Sequence, residues 1–184
     1  MSSRSGFTRL VGMELFRCRA DSDDIYRHVR DVPYGEYVDE GQSFSVRIRR
    51  VRGSSPNLDV EGLETRIGCV ILGAVEGLRV RLENPDKAFF GVLTDGNFVF
   101  GLKEVELSPK PMLERRPRRR PFFHPSSLMP KLARCMVNLA RPRRGDSVLD
   151  PFCGTGSLLI EAGLMGMKAL GSDIKGHMAL GSLR

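Results

Sequence analysis

One stretch, Val148-Leu149-Asp150-Pro151-Phe152-Cys153-Gly154-Thr155-Gly156, leaves this chain few folds to choose from. Ser147 to Asp150 reads as a short apolar strand that ends in a carboxylate. Gly154 and Gly156 have no Cβ, so the backbone can turn tightly there and approach a ligand closely. A helix follows, with Leu158, Leu159, Ala162 and Met165 at core spacing, and it stops at Gly166. A second strand, Lys168 to Ser172, then ends in Asp173. Strand, glycine turn, helix and strand in that order make one unit of a parallel α/β sheet. Ligands of such sheets sit at the carboxyl ends of the strands, where both acids and both glycines lie.

The residues also narrow the ligand. A dinucleotide fingerprint needs a glycine three positions after Gly156, and Leu159 stands there. A phosphate loop needs Gly-Lys-Ser/Thr, which this turn lacks. Asp150 precedes the glycines and would repel a pyrophosphate at the positive end of the helix. A carboxylate in that place suits a cation, such as the sulfonium and ammonium of S-adenosylmethionine. Asp173 at the next strand tip is placed to accept both ribose hydroxyls, as the acid roughly 20 residues on does in nucleotide folds. An ordinary βαβ turn with an incidental glycine pair would not need two acids at the strand tips.

The net charge of +7 is unevenly spread. Between Ser108 and Arg144 there are eleven Lys/Arg and one acid, so the remainder of the chain is slightly acidic. A basic stretch of this kind is the footprint of a polyanionic partner, although a single arginine run can also be a solvated linker. No apolar run approaches the roughly 18 residues of a membrane helix, and Met1-Ser-Ser-Arg-Ser has no apolar signal core. Cys18, Cys69, Cys135 and Cys153 are widely spaced, and the three histidines do not group with them in sequence. That pattern argues against a disulfide framework and a metal site, and for a cytoplasmic protein. A monomer is expected.

Along the chain, Phe7, Leu10, Val11, Leu15 and Cys18 give a weak helical stripe. Ser22 is a candidate cap for a short helix from Asp23 to about Val29. Gln42 to Val51 alternates as a strand, with Arg47 and Arg49 on its outer face. Ser55-Pro56 can open a helix whose stripe is Leu63, Ile67, Val70, Ile71 and Ala74. Leu78, Val80 and Leu82 form a second strand, and Ala88 to Thr94 and Phe98 to Val105 a hairpin around Asp95-Gly96. Pro109 to Pro121 reads as a linker whose arginines (Arg115, Arg116, Arg118, Arg119, Arg120) keep it in water. A helix from Pro130 to Ala140 follows, with Leu132, Met136, Leu139 and Ala140 inward and Lys131, Arg134 and Arg141 outward.

Val80-Arg-Leu-Glu-Asn84-Pro85-Asp86, followed by a hairpin ending Phe98-Val-Phe-Gly-Leu102, resembles the RNA-binding THUMP domain. The order His124-Pro125-Ser126-Ser127-Leu128, a helix with Ala133-Arg134-x-x-Val137-Asn138-Leu139, then Asp150-Pro-Phe-Cys-Gly-Thr-Gly resembles the archaeal THUMP-bearing tRNA guanosine N2-methyltransferases of the position-ten type. The resemblance implies an α/β fold. A THUMP-like RNA-binding module (36–107) would be preceded by a remnant of an N-terminal ferredoxin-like region (1–35). After it would come a basic Pro/Arg linker (108–123) and the first part of a Rossmann-like S-adenosylmethionine-dependent methyltransferase domain (124–184). It also implies S-adenosylmethionine as cofactor and tRNA as partner.

By the same resemblance Asp150, Pro151, Phe152, Gly154 and Gly156 form the first cofactor motif and Asp173 the ribose acid. The 124–128 segment meets the methionine end, with Ser126 taking the cofactor carboxylate. His124 is equally a cofactor contact or a turn residue, and Cys153 is a small packing residue rather than a nucleophile. Arg47, Arg49, Arg115, Arg116, Arg118, Arg119 and Arg120 are the expected RNA contacts. The family's catalytic Asp/Asn-Pro-Pro-Tyr/Phe tetrapeptide does not occur, so a partial chain without turnover of its own is expected. Its two-stranded sheet should be unstable alone. Three rivals stand beside this reading. A 4-thiouridine synthetase would need an ATP pyrophosphatase loop, which is absent. A DNA amino-methyltransferase should lack the Asn84-Pro85-Asp86 module, and a non-catalytic RNA-binding fragment would show no methylation.

Overall fold

The computed structural model describes residues 4–183; the Met1-Ser-Ser start of the chain and Arg184 lie outside the described residues. The chain divides into two compact units, one spanning Leu10–Val105 and the other formed by the residues up to Arg9 together with those from Glu106 onward.

The first unit is a five-stranded sheet in the order β1-β5-β4-β2-β3. Its strands are β1 (Leu10–Arg19), β2 (Ser43–Arg50), β3 (Arg79–Val80), β4 (Lys87–Thr94) and β5 (Asn97–Glu106), with helices α1 (Ser22–Asp31) and α2 (Val60–Ala74). β2 runs parallel to β4 with Phe44 opposite Lys87. β4 and β5 form the expected hairpin, Thr94 opposite Asn97. Asp95 and Gly96 have φ of 46° and 74°, the doubly positive pair that a two-residue hairpin loop requires. Phe44, Phe89, Phe98 and Phe100 are fully buried and meet Ile25, Val29, Leu63, Ile67 and Ile71 of the two helices in one core. Each such side chain contributes about 1.5–3 kcal/mol by leaving water.

Four local readings change in this unit. Residues 10–19 form a strand, not a helix: Gly12 and Gly101 let the β1 and β5 backbones close on one another, and pairing overrides a weak stripe. Residues 10–35 thereby supply β1 and α1 to this unit. The cap of α1 is Asp21, whose side chain accepts from the Asp23 and Asp24 N–H groups, and not Ser22. α2 begins at Val60, four residues after Pro56. β3 is only two residues long, and Val80 and Leu82 are exposed, because the chain pairs with β2 at Ser43 and Phe44 alone before turning away.

Where β3 gives out, side chains satisfy the β2 edge. Glu64 Oε1 accepts from Ile48 N at 2.6 Å, and Glu64 Oε2 pairs with Arg47 at 3.3 Å. Asp86 fastens the start of β2. Its Oδ2 accepts from Ser43 N at 2.8 Å and from the Ser43 hydroxyl at 2.5 Å. Those bonds hold the Asp86 carboxyl below the usual carboxylate range.

The second unit contains the short helix α3 (Lys110–Glu114), then α4 (Pro130–Leu139), β6 (Ser147–Asp150), α5 (Ser157–Leu164), β7 (Lys168–Gly171) and α6 (Gly176–Gly181). β6 and β7 are parallel, Val148 opposite Ala169. α4 packs on α5, but through another face than its apolar spacing predicts. Ala133, Arg134 and Val137 are buried, while Leu132, Met136 and Leu139 are exposed. An ionic lock turns the helix. Glu161 of α5 has no exposure; its Oε2 lies 2.6 Å from Arg134 and its Oε1 2.9 Å from Arg115. The 108–123 stretch is therefore not wholly a solvated linker. Arg115 reaches Glu161, Arg120 donates to Ser157 Oγ at 2.9 Å and to the Arg115 carbonyl at 3.0 Å, and of its five arginines only Arg116, Arg118 and Arg119 remain exposed.

Candidate cofactor site

β6 delivers Asp150 to its carboxyl end, and the chain then folds over itself. Ser172 N donates to Asp150 O and Cys153 N to Ser172 O, so the two strand tips are stitched across the turn. Gly154 and Gly156 have φ of 51° and 72°, the left-handed region that disfavours side chains. A Cβ on Gly154 would meet nothing within 4 Å, which leaves the backbone there open to a ligand.

The two acids hold the loop as well as facing it. Asp150 Oδ1 accepts from Phe152 N at 3.1 Å. Asp173 Oδ2 accepts from Gly154 N at 2.8 Å and Oδ1 from Lys175 N at 2.9 Å. The Lys175 and Gly154 N–H groups, helped by the nearby charges of Lys175 and His177, hold the Asp173 carboxyl below the usual range. Each of its oxygens keeps a lone pair for a further donor.

A cavity of about 240 Å³ opens beside this loop, lined by Ser126, Ser127, Leu128, Asp150, Phe152, Cys153, Gly154, Thr155, Ser157, Leu158 and Met178. Ser126, Asp150, Phe152 and Gly154 of the sequence-derived set thus line one cavity. Pro151, Gly156, Asp173 and His124 do not line it; Asp173 is joined to it through Gly154, and Gly156 is the buried N-cap of α5. His124 shapes the turn, its N donating to Ser127 Oγ and its Nδ1 lying 2.7 Å from Ser126 Oγ. Cys153 is buried and faces Gly171.

Residues outside the sequence-derived set complete the site. Thr155 Oγ1 donates to Ser127 Oγ at 2.9 Å, tying the 124–128 segment to the glycine loop, and Ser157 lies 3.5 Å further along from Thr155. Four hydroxyls, those of Ser126, Ser127, Thr155 and Ser157, thereby face one cavity with Asp150 as its acid. The x in Gly-x-Gly and a serine at a helix start carry no linear signal of such a role.

In the sheet unit, the ligand atoms of Cys18, Asp24 and His28 lie within 4.8 Å of one another, a grouping the spacing does not announce. These groups have other duties. His28 Nδ1 donates to the Asp24 carbonyl and Asp24 Oδ2 accepts from Arg19 N. Burial, with Asp24 and Asp21 alongside, pushes the Cys18 thiol up to about 11. Among the described residues, no helix is long and apolar enough to cross a membrane.

Comparison with known proteins agrees with both halves. Residues 19–102 match the THUMP domain family, and residues 117–179 match the family described as RMKL-like, methyltransferase domain. The chain is 43% identical over 163 residues to the tRNA (guanine(10)-N2)-dimethyltransferase of Methanothermobacter thermautotrophicus, covering 89% of this chain and 47% of that protein. It is 44% identical over 162 residues to the enzyme of the same name from Pyrococcus abyssi, covering 88% and 46%. The crystal structure of TrmN from Thermus thermophilus aligns with a TM-score of 0.57 at 25% identity, over 95% of this chain and 52% of that one. The chain spans about half the length of the curated relatives it matches. It thus carries a THUMP domain and, after it, sequence of the RMKL-like methyltransferase domain.

Proposed function

We propose that this chain is the RNA-holding and donor-holding part of a cytoplasmic, S-adenosylmethionine-dependent methyltransferase acting on the exocyclic amine of a guanine in tRNA. One observation carries the reading: the open glycine turn is framed by two ionisable acids, Asp150 and Asp173, and bordered by a hydroxyl-lined cavity. At about 240 Å³ the cavity is smaller than the 300–1,000 Å³ of a typical small-molecule site, so it suits one end of a long ligand. The donor's amino-acid end fits there, its ammonium toward Asp150. The ribose hydroxyls fall to Asp173, beside the exposed Ile174.

When bound, the donor supplies an electrophilic methyl group. The chain's residues supply position and field: Asp150 faces the cationic end, Asp173 fixes the sugar, and Gly154 admits the ligand without a steric barrier. Preorganised charges of this kind need no rearrangement during transfer. On the RNA side, the exposed Arg116, Arg118 and Arg119, with Arg47 and Arg49 on β2, hold tRNA phosphates without reading sequence. Arg47 already pairs with Glu64 and is the weakest of these contacts. Arg115 and Arg120 face inward and serve the fold of the second unit.

Filter binding of tRNA by the chain across a salt series tests this. Each phosphate contact contributes about 0.9 to the slope of log K against log[salt]. Replacing Arg116, Arg118 and Arg119 together by alanine should reduce the slope by up to about 3. An unchanged slope removes these arginines from the interface, and tighter binding of duplex DNA than of tRNA would favour the DNA amino-methyltransferase.

A further inference from the structure

Arg120 belongs by sequence to the basic run that reads as RNA-facing, yet its side chain turns into the second unit. Its Nη1 donates to Ser157 Oγ at 2.9 Å and its Nε to the Arg115 carbonyl at 3.0 Å. Its Nη2 is buried with no hydrogen-bond partner. An arginine guanidinium has donors only. Ser157 must therefore offer it a lone pair, so the serine's own O–H is a donor, turned here to the long 3.5 Å contact with Thr155 Oγ1 and available to a stronger acceptor in the cavity. Ser157 lines the cavity. It is also the first residue of α5, an eight-residue helix whose N-cap, Gly156, has no side chain to satisfy the first-turn N–H groups. A polarised hydroxyl, a guanidinium one bond behind it and uncapped helix amides all favour an anion at that end. Behind them, Glu161 pairs with Arg115 and Arg134 and its charge also acts on Arg120, while the direct hydrogen bond of the Arg120 Nη1 goes to Ser157.

We propose that Arg120 is a positioning residue of the donor site: by fixing the Ser157 hydroxyl as a donor toward the cavity, it makes this end the seat of the ligand's carboxylate, in the cavity that Asp150 also lines. The proposal rests on the donor reading above and adds to it a residue that touches no ligand itself. The 108–123 stretch then has two functions split residue by residue, Arg116, Arg118 and Arg119 outward to RNA and Arg120 inward to the donor.

Ligand-observed NMR titrations of the chain with S-adenosylhomocysteine and with its decarboxylated analogue test this. The analogue keeps the ammonium and the nucleoside and lacks only the carboxylate. Arg120→Gln and Ser157→Ala should each weaken S-adenosylhomocysteine by roughly tenfold, the worth of one charge-assisted bond. Binding of the analogue should stay within about twofold, and Arg120→Lys should recover part of the loss. The slope of tRNA affinity against salt should not move with Arg120→Gln. Equal weakening of both ligands would show that Arg120 supports the loop and does not select the carboxylate; an unweakened S-adenosylhomocysteine would also overturn the proposal. Failure of the unsubstituted chain to bind either ligand is a separate outcome, which overturns the donor reading and this inference with it.

Discussion

Replacing Glu161 by glutamine removes one negative charge from the interior of the second unit and should cost far more than a surface substitution. Glu161 has no exposure, and the Arg134 side chain is 8% exposed, so neither can recover hydration when its partner changes. Arg115 is 25% exposed and can turn toward water. The penalty therefore falls on Arg134. Leaving a buried charge without its counter-ion costs about 3–5 kcal/mol, and glutamine, whose carbonyl still accepts one bond, belongs at the low end. For a unit of this size that corresponds to a fall in Tm on the order of 10–20 °C. Hydrogen exchange read by mass spectrometry provides the assay and its own control, because α4 and α5 amides should lose protection while those of α2 keep theirs. A double change, Arg134→Met with Glu161→Leu, should regain most of the lost protection, since removing both ions also removes both desolvation costs. A loss below about 1 kcal/mol in Glu161→Gln, or a double variant no better than the single one, would refute the claim that the pair is buried and coupled.

Three other outcomes follow from the geometry. Asp86→Asn should loosen the β2–β4 junction, because the hydrogen bonds from Ser43 favour the ionised carboxylate; the folded pKa is depressed, so this stability is present above the unfolded value of about 3.9 and fades as pH falls through the folded one. Acid unfolding of the sheet unit, followed by near-UV spectroscopy, should begin at higher pH in the variant, and coincident curves would contradict the assignment. Cys18, buried with a thiol raised to about 11, should resist alkylation at pH 8 while the exposed Cys69 reacts, as peptide mass mapping can show. Gly91→Ala should destabilise the sheet unit strongly in urea titration, since the added carbon would lie 2.5 Å from the Phe98 ring and 2.9 Å from Ile48; a change of a few tenths of a kcal/mol would show that this core yields easily.

Much of the fold can be read directly from the chain where local chemistry decides it. Asp95-Gly96 demands a doubly positive turn, Leu63, Ile67 and Ile71 mark a helix face, and the glycine turn after Asp150 needs backbone freedom. Reading fails where a distant partner decides. β1 is a strand because β5 lies beside it, and β3, the edge of the sheet, pairs with β2 over only two residues. α4 presents the wrong face to any count of apolar spacing, since Arg134 seeks a carboxylate 27 positions away and drags Ala133 and Val137 inward with it. The proposed donor site divides in the same manner. Asp150, Asp173 and the glycines are visible as strand-tip acids around a turn. The roles proposed for Thr155, Ser157 and Arg120 emerge only once the 108–128 segment has folded back against α5.

Competition at the glycine turn tests the central claim most directly. With the Gly154 amide as the NMR reporter, S-adenosylhomocysteine should shift the signal saturably, and an Asp173→Asn variant, whose side-chain oxygen can still accept from that amide, should weaken the response. A turn that instead responds to ATP or NADH, and ignores S-adenosylhomocysteine, would mean that the acids at the two strand tips do not select a cationic methyl donor.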